Sequence, residues 1–255
     1  MMQQYLRHRF LFEELVKRDF KKKYKRTVLG MAWSLLSPLL MLLVMKLVFT
    51  QFFGRTMEHY TIYLFCGNLV FSYFNESTSQ GMTSLVNNAA IFTKVNIPKY
   101  LFLFSKNVQT LINFSLTLCI FFVFCAFDRI LFTWKFLLLL YPICLLVLFN
   151  IGVGLILSAL YVFFRDIQYL WGIFTQILLY ASAIFYTIDH YDYTVQCLFL
   201  ANPIYLFIRY FRKIVIEGAI PTVWFHLLML ADVLIVLGLG CWMYKKYNTR
   251  FLYYV

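Results

Sequence analysis

The chain has 255 residues, of which 62% are hydrophobic and only 13% charged, with 29 Phe, 19 Tyr and a formal net charge of +12. A water-soluble domain of this length spreads charge over most of its surface. Here a few charged clusters separate long apolar stretches, which excludes the soluble class and turns those stretches toward lipid.

Residues 1–28 hold nine cations: Arg7, Arg9, Lys17, Arg18, Lys21, Lys22, Lys23, Lys25 and Arg26. Phe12, Val16, Phe20 and Tyr24 recur every four residues with Leu11 and Leu15 beside them, while Lys17, Lys21 and Lys25 form a row about 100° further round a helix. The pattern predicts a helix in the membrane interface with its apolar row in lipid. Arg9, Glu13 and Asp19 interrupt it, and a disordered basic tail is the alternative. Lys21, Lys22, Lys23 and Lys25 would each gain about 1 kcal/mol against anionic headgroups. The segment is not a secretory signal: the apolar run that follows is too long, and no small-residue cleavage site precedes its end.

A helix crosses the hydrocarbon layer with about 20 residues. Six stretches qualify: Leu29–Phe53, His59–Leu85, Lys106–Phe127, Trp134–Phe164, Ile167–Thr187 and Val223–Tyr244. Helices satisfy every backbone polar group within one segment, so the expected fold is an all-α integral membrane protein with six transmembrane helices. Residues 29–187 would hold the first five spans and 223–255 the last span and a tail. The second stretch is the weakest, because Asn68, Asn75 and Glu76 lie within it. An ionisable residue inside a span is a functional candidate by default, and Glu76 and Gln80 share one helix face, one turn apart. That face is expected to point at a cavity or a partner helix. Lys46 is expected to snorkel to the headgroups, and Asp232 to pair with Lys46 or Arg209. Five of the six cysteines (Cys66, Cys119, Cys125, Cys144 and Cys241, but not Cys197) lie within spans and read as small apolar residues.

Three connections carry information. In segment 84–99, Ser84 to Phe92 is expected to form a short helix that Pro98 terminates. Its apolar residues Ile91, Phe92, Val95 and Ile97 would dock into a partner's groove or lie on the membrane surface. Arg165 and Asp166 are expected to cap a tight turn, the cation ending one helix and the anion starting the next. Segment 188–222 is too apolar for a hydrated loop and is broken at Asn202-Pro203 and Gly218, so two half-helices that dip into the membrane and return are expected.

The cations also set orientation. With the N-terminus inside, Lys94, Lys99, Lys106, Arg165, Lys245, Lys246 and Arg250 join the first nine, leaving Arg55, Arg129, Lys135, Arg209, Arg212 and Lys213 outside. Both ends of the chain are then cytoplasmic. No GxxxxGK[ST] loop, HExxH or GxSxG is present, so the chain does not hydrolyse ATP by the usual route. Asp189, His190 and Asp192 suit either a metal ion or a polar end to a span.

Four ordered pieces carry a family resemblance. They are RDFKKKYKRTVLGMAWSLLSPLL, with Asp19, Tyr24, Leu29, Gly30, Trp33 and Pro38; FTKVNIPKYLFLFS, with Lys94, Ile97 and Pro98; VFFRDIQYLWGIFTQILLYASAIFYT; and Asn202-Pro203. Together they resemble the permease subunit of ABC-2 type (type V) exporters, in the branch that moves lipid-linked polysaccharides such as O-antigens, capsules and teichoic acids. The resemblance implies a homodimer in the bacterial cytoplasmic membrane, served by two separate ATPase subunits that hold ATP and Mg. This chain would carry no cofactor, bind no nucleic acid and catalyse no reaction itself. ATPase coupling would fall to Tyr24, Arg26, Phe92, Lys94, Asn96, Ile97, Pro98, Arg165 and Asp166, with 84–99 as the coupling segment. The channel and its re-entrant gate would use Glu76, Gln80, Phe185, Tyr186, Asn202, Pro203 and Tyr205. Aromatic rings would stack on sugar faces, and the basic block would draw in a lipid-pyrophosphate headgroup. One departure is that FYTIDHYDYT lacks the proline often found where the family's fifth span ends, and Ala183 stands in its place. Competing readings are an ABC-2 exporter of small lipids or drugs, a stand-alone membrane transferase using Asp189, His190 and Asp192, and a scaffold, which would leave Glu76 and the broken segment unexplained.

Overall fold

A computed structural model describes residues 2–24, 30–53, 58–94, 97–188, 190–252 and 254, with the side chains of 2–9, 22–24, 31, 50–53 and 252 outside that description. The elements are α1 (Met2–Tyr24), α2 (Trp33–Phe53), α3 (Tyr60–Thr83), the one-turn α4 (Ala89–Phe92), α5 (Tyr100–Phe127), α6 (Leu140–Phe163), α7 (Ile167–Ala181), α8 (Tyr193–Leu200), α9 (Pro203–Val215) and α10 (Val223–Tyr247). Short 3-10 turns precede α2, α4 and α6 and follow α10. Among the described residues the fold is all-helical. Tyr100–Phe127, Trp134–Phe163 and Val223–Tyr247 are long and apolar enough to cross a membrane, and Trp33–Phe49 is a shorter apolar stretch.

The helix at the centre is, after α1, the least hydrophobic of the long ones. α3 packs against α2, α5, α6, α7 and α9 and is buried on nearly every face. Its polar residues are tolerated there because α5 and α3's own backbone and side chains take their hydrogen bonds. Ser77 Oγ donates to Asn107 Oδ1 of α5 at 2.7 Å. The hydroxyls of Thr78 and Thr110 return to their own helices, to the carbonyls of Phe74 at 2.8 Å and Asn107 at 3.0 Å. By contrast α2, α7 and α10 expose rows of large apolar residues, among them Leu43, Leu47, Ile173, Ile177, Leu234 and Ile235. Such rows suit lipid, not water.

α10 lies closest to α6, and glycine makes the approach possible. A Cβ on Gly152 would stand 2.8 Å from the backbone nitrogen of Leu237, and one on Gly240 would stand 2.7 Å from the carbonyl oxygen of Gly152. Small residues at a helix seam let two backbones approach inside a membrane.

Two core regions mark the two ends of the bundle. At one end Leu15, Leu85, Phe92, Ile97, Phe102, Tyr244 and Phe251 form a compact cluster that joins α1, the 84–99 segment, α5, α6 and the chain after α10. At the other end α9 enters the larger core, where Phe207 meets Phe149 of α6 at 5.8 Å between ring centres.

Several sequence expectations are corrected. α1 does not simply lay an apolar row in lipid: Leu15 and Asp19 are buried, because that face packs on α5. The helix expected over Ile167–Thr187 stops at Ala181. Ser182 and Ala183 break it, Ala183 with φ of 48°.

Candidate functional site

At the end that gathers α1, 84–99 and the α6–α7 turn, a polar network ties the parts together. Arg18 donates to Asn88 Oδ1 at 2.8 Å, which joins α1 to the segment before α4. Arg18 also holds Asp19 at 2.8 Å, and the same carboxylate takes Lys106 of α5 at 3.0 Å. Asp19 is nearly inaccessible, so this is a buried charge held by two cations and costly to strand. In the sequence pattern Asp19 interrupts the helix's amphipathic rows and belongs to one of the pieces that carry the family resemblance.

The expected coupling residues separate into two groups. Phe92 and Ile97 are buried in the end cluster, Phe92 tilted against Phe102 at 5.9 Å, so they are not a free apolar docking surface. The chain's own core takes both side chains. Asn87, Ala90, Thr93 and Lys94 are exposed instead, and Pro98 is half-buried. Lys99 sits over Phe92 and Phe251 and donates to Asn248, anchoring the chain after α10. Its burial pushes the Lys99 ammonium below its ordinary pKa. Arg165 and Asp166 are exposed. Asp166 occupies the N-cap of α7 but makes no capping side-chain bond, and Arg165 lies past the C-cap Phe164, stacked over the Tyr161 ring at 5.1 Å. Backbone bonds such as Tyr169 N to Asp166 O, 3.0 Å, close the turn, so side-chain capping is not what forms it. Lys21 is exposed. The side chains of Lys22, Lys23 and Tyr24 lie outside the described residues, as do Lys25, Arg26, Val95, Asn96 and Asp189 altogether.

Glu76 faces a cavity, as the sequence predicts. The space is about 540 Å³ and lies between α2, α3 and α5, with Trp33, Ser37, Asn68, Ser72, Glu76 and Asn113 among its walls. Gln80 and Asn113 both donate to Glu76 Oε1, at 3.0 and 3.2 Å. Ser72 donates to Asn68 Oδ1 at 3.1 Å along the same face of α3.

At the opposite end α8 and α9 form the expected pair of half-helices. Asn202 caps α9 by accepting from Ile204 N at 3.0 Å, and Pro203 opens the helix where it needs no N–H partner. The Asn202 amide also donates to Ala181 O and Ser182 Oγ at 3.1 and 3.0 Å, joining α9 to the end of α7. α8 is largely exposed, whereas α9 buries Tyr205, Phe207, Tyr210 and most of its other side chains. Phe185 stacks on Phe49 of α2 at 4.5 Å, and Tyr186 receives the Tyr63 hydroxyl at its carbonyl at 2.6 Å.

The residue that sequence reasoning missed is Arg212. By sequence it is one of several outer cations, yet it is 2% exposed. Its guanidinium donates to the carbonyls of Ala183 at 2.8 Å, Ile184 at 2.9 Å and Tyr63 at 3.2 Å, and lies over the Tyr63 ring at 3.3 Å. Among the described residues no carboxylate pairs with it. Arg212 therefore latches α9 to both α3 and the broken end of α7. Its spacing from Tyr205, Ile208 and Val215 puts it on an apolar helix face, and that was the available signal. Arg209, expected as a partner of Asp232, pairs with Glu217 instead.

A lipid-facing helical bundle with polar groups set into its apolar interior, a pair of half-helices at one end of which α9 is buried, and a tied polar cluster at the other is built as a membrane transport subunit. Residues 11–216 match the ABC-2 type transporter family. The chain belongs to that family, which makes it a multi-pass permease subunit and not an enzyme; in such systems the ATPase is a separate subunit, and this sets aside the transferase reading. A Myxococcus xanthus relative named O-antigen export system permease protein RfbA is 27% identical over 225 residues, 87% of this chain and 86% of the relative. Two Klebsiella pneumoniae relatives of the same name are 26% and 25% identical, each over 94% of both chains.

Proposed function

We propose that the chain is the membrane-spanning subunit of an ATP-driven exporter of lipid-linked polysaccharide, of O-antigen, capsule or teichoic-acid type. It works as a homodimer with two ATPase subunits in the bacterial cytoplasmic membrane, with six spans and both ends of the chain cytoplasmic. The observation that supports this most is the end-to-end alignment with relatives that are all named O-antigen export permeases.

The mechanism follows from how the parts are joined. ATP-driven closure of the ATPases pushes the exposed face of 84–99 and the Arg165-Asp166 turn. The Arg18–Asn88 bond and the Asp19–Lys106 pair pass that push to α1 and α5. The first and fifth spans, α2 and α7, tilt, and the seam between two copies opens for the glycan. Lys21, Lys22, Lys23 and Lys25 attract the anionic pyrophosphate end of the substrate, and the α8–α9 hairpin closes the outer side.

The test is to express the tagged chain with the ATPase encoded beside it, extract in mild detergent, and measure stoichiometry and ATP hydrolysis. A two-to-two complex whose hydrolysis falls on replacing Lys94 or Arg165 supports the reading, and a permease that purifies alone and binds no ATPase refutes it. Deletion in the cell separates the cargoes: a polysaccharide exporter leaves lipid-linked polymer accumulating inside, whereas an exporter of small lipids or drugs does not.

A further inference from the structure

The outer face of α10 is a lipid-facing stripe that ends in a cation. Trp224, Leu228, Ile235, Leu239, Trp242 and Lys246 lie on one stripe about 60° wide, and all six are exposed. Trp242 stands 18 residues after Trp224, about 27 Å at 1.5 Å per residue and close to the roughly 30 Å of hydrocarbon that a span crosses. Exposed tryptophans at both ends of an apolar stripe mark the two membrane–water boundaries. Lys246, one turn beyond Trp242, therefore stands among the headgroups.

Its side chain folds back toward the membrane, with Nζ over the Trp242 ring at 4.6 Å and the Tyr247 ring at 5.5 Å. Arg250 turns to the same Tyr247 ring, its guanidinium carbon 5.8 Å from the centre. The platform is fixed from beneath: Phe163 of α6 meets Tyr247 edge-on at 5.5 Å, Tyr244 shares a hydrogen bond with Ser158 at 2.7 Å, and Phe251 is fully buried. Two cations thus gather on one ring with Lys245 next in the chain, while residues 233–254 contain no Asp or Glu. Among the described residues none of the three cations pairs with a carboxylate. The negative end of α10 offsets only about half a charge, and Asp232, 14 residues before Lys246, is about 21 Å away along the helix. The patch keeps a net positive charge at headgroup depth, which calls for an anion. An acidic protein surface would meet these cations from the water side. Lys246 instead lies back over a tryptophan whose own stripe faces hydrocarbon, and that favours a lipid.

We infer that Lys246 and Arg250, on the Trp242–Tyr247 platform, bind the phosphate of an anionic phospholipid whose acyl chains lie along Leu239 and Ile235. The site rests neither on the export reading nor on which side of the membrane this end faces.

The test places the whole permease in phosphatidylcholine nanodiscs doped with either brominated-acyl phosphatidylglycerol or brominated-acyl phosphatidylcholine and reads tryptophan quenching. The Trp242 signal is the difference between each protein and its own Trp242→Phe control, and the Trp224 signal, from Trp224→Phe, is the reference at the other end of the stripe. At Trp242 the anionic lipid should quench more strongly than the neutral one at equal fraction, with a preference of about fivefold for each cation. Lys246→Gln and Arg250→Gln should each lower that preference about fivefold, and the two together should abolish it. Lys245→Gln, about 100° round the helix and over no ring, should lower it less. Soluble glycerol 3-phosphate should not compete, which separates a lipid headgroup from a free phosphate. A preference at Trp242 no greater than at Trp224, equal losses from Lys245→Gln and Lys246→Gln, or competition by glycerol phosphate overturns the proposal. So does an absent preference with ATPase recruitment lost in the double variant, which would give the patch to an acidic protein surface. The quenching needs no ATPase and no transport, so its failure leaves the export reading standing.

Discussion

Replacing Arg212 separates its role as a latch from the general cost of placing a cation in the core. In Arg212→Met the carbonyls of Ala183 and Ile184 lose their guanidinium partner, and both lie in the turn after α7, outside any helix ladder. Ala183 O keeps only the long bond from the Tyr63 hydroxyl, 3.4 Å, and Ile184 O loses its partner; a buried acceptor left unpaired costs about 1–3 kcal/mol. Tyr63 O belongs to α3, whose own ladder already engages it, so its loss adds little. Methionine returns part of the cost because it needs no desolvated charge, leaving a net loss of about 1–3 kcal/mol. Arg212→Lys should be worse: it keeps the buried charge but gives up the planar fork that reaches three carbonyls and the stack on Tyr63. Thermal unfolding in detergent, followed by the loss of monodisperse protein, should rank wild type above Arg212→Met and Arg212→Met above Arg212→Lys. A lysine variant as stable as wild type would refute the latch. Gly67→Ala should weaken the same joint from the other side, because its Cβ would stand 2.9 Å from Ile184 Cγ2 and 3.1 Å from Arg212 Nη2.

Ala183 has φ of 48°, a conformation that costs a non-glycine residue roughly 1–2 kcal/mol. Ala183→Gly should therefore raise the melting temperature, while Ala183→Pro, fixed near φ of −65°, should prevent the turn and abolish recovery of folded protein. Gly152→Ala and Gly240→Ala should each force α6 and α10 apart and sharply lower the yield of folded protein from membranes, whereas Gly172→Ala, with nothing within 4 Å of its Cβ, should behave as wild type. Asp19→Ala strands Lys106 and should cost about 3 kcal/mol and expose α1 to limited proteolysis. Pairing it with Lys106→Met should recover much of the loss, and a double variant no better than the single one would refute the pairing.

The helices were legible because a bilayer allows few ways to hide a backbone, so span length and a broken Asn202-Pro203 segment fix most of the element order. Glu76 was legible for the same reason, since a carboxylate inside an apolar run has to meet a cavity or a partner. Arg212 and Asp19 were not, although both sit in register with apolar neighbours: Asp19 continues the row of Leu11 and Leu15. Periodicity places a residue on a face but does not say what covers that face. Phe92 and Ile97 show the same limit, because lipid, a partner and the chain's own core all reward an apolar side chain, and only packing decides among them. The early end of α7 depends on a bond from Arg212, 29 residues away from Ala183, which no local pattern contains.

The distribution of burial also says where movement is cheapest. α3 is surrounded by five helices and crossed by polar bonds, so shifting it would disrupt packing on every side at once. α2 buries little beyond Leu42 and Met45, and α7 buries little beyond Thr175. An apolar face that separates from a neighbouring helix meets lipid tails of similar polarity, at small cost, so a pushed bundle yields at α2 and α7 while α3 stays in place. The Phe49–Phe185 stack joins α2 to the turn after α7, and fixing it should stop transport. A short bismaleimide bridge between Phe49→Cys and Phe185→Cys should leave ATP hydrolysis running and block export. The same bridge between Ser77→Cys and Asn107→Cys, at the static α3–α5 seam, should leave export intact. Export that survives the first bridge and fails with the second would place the moving joint in α3 instead.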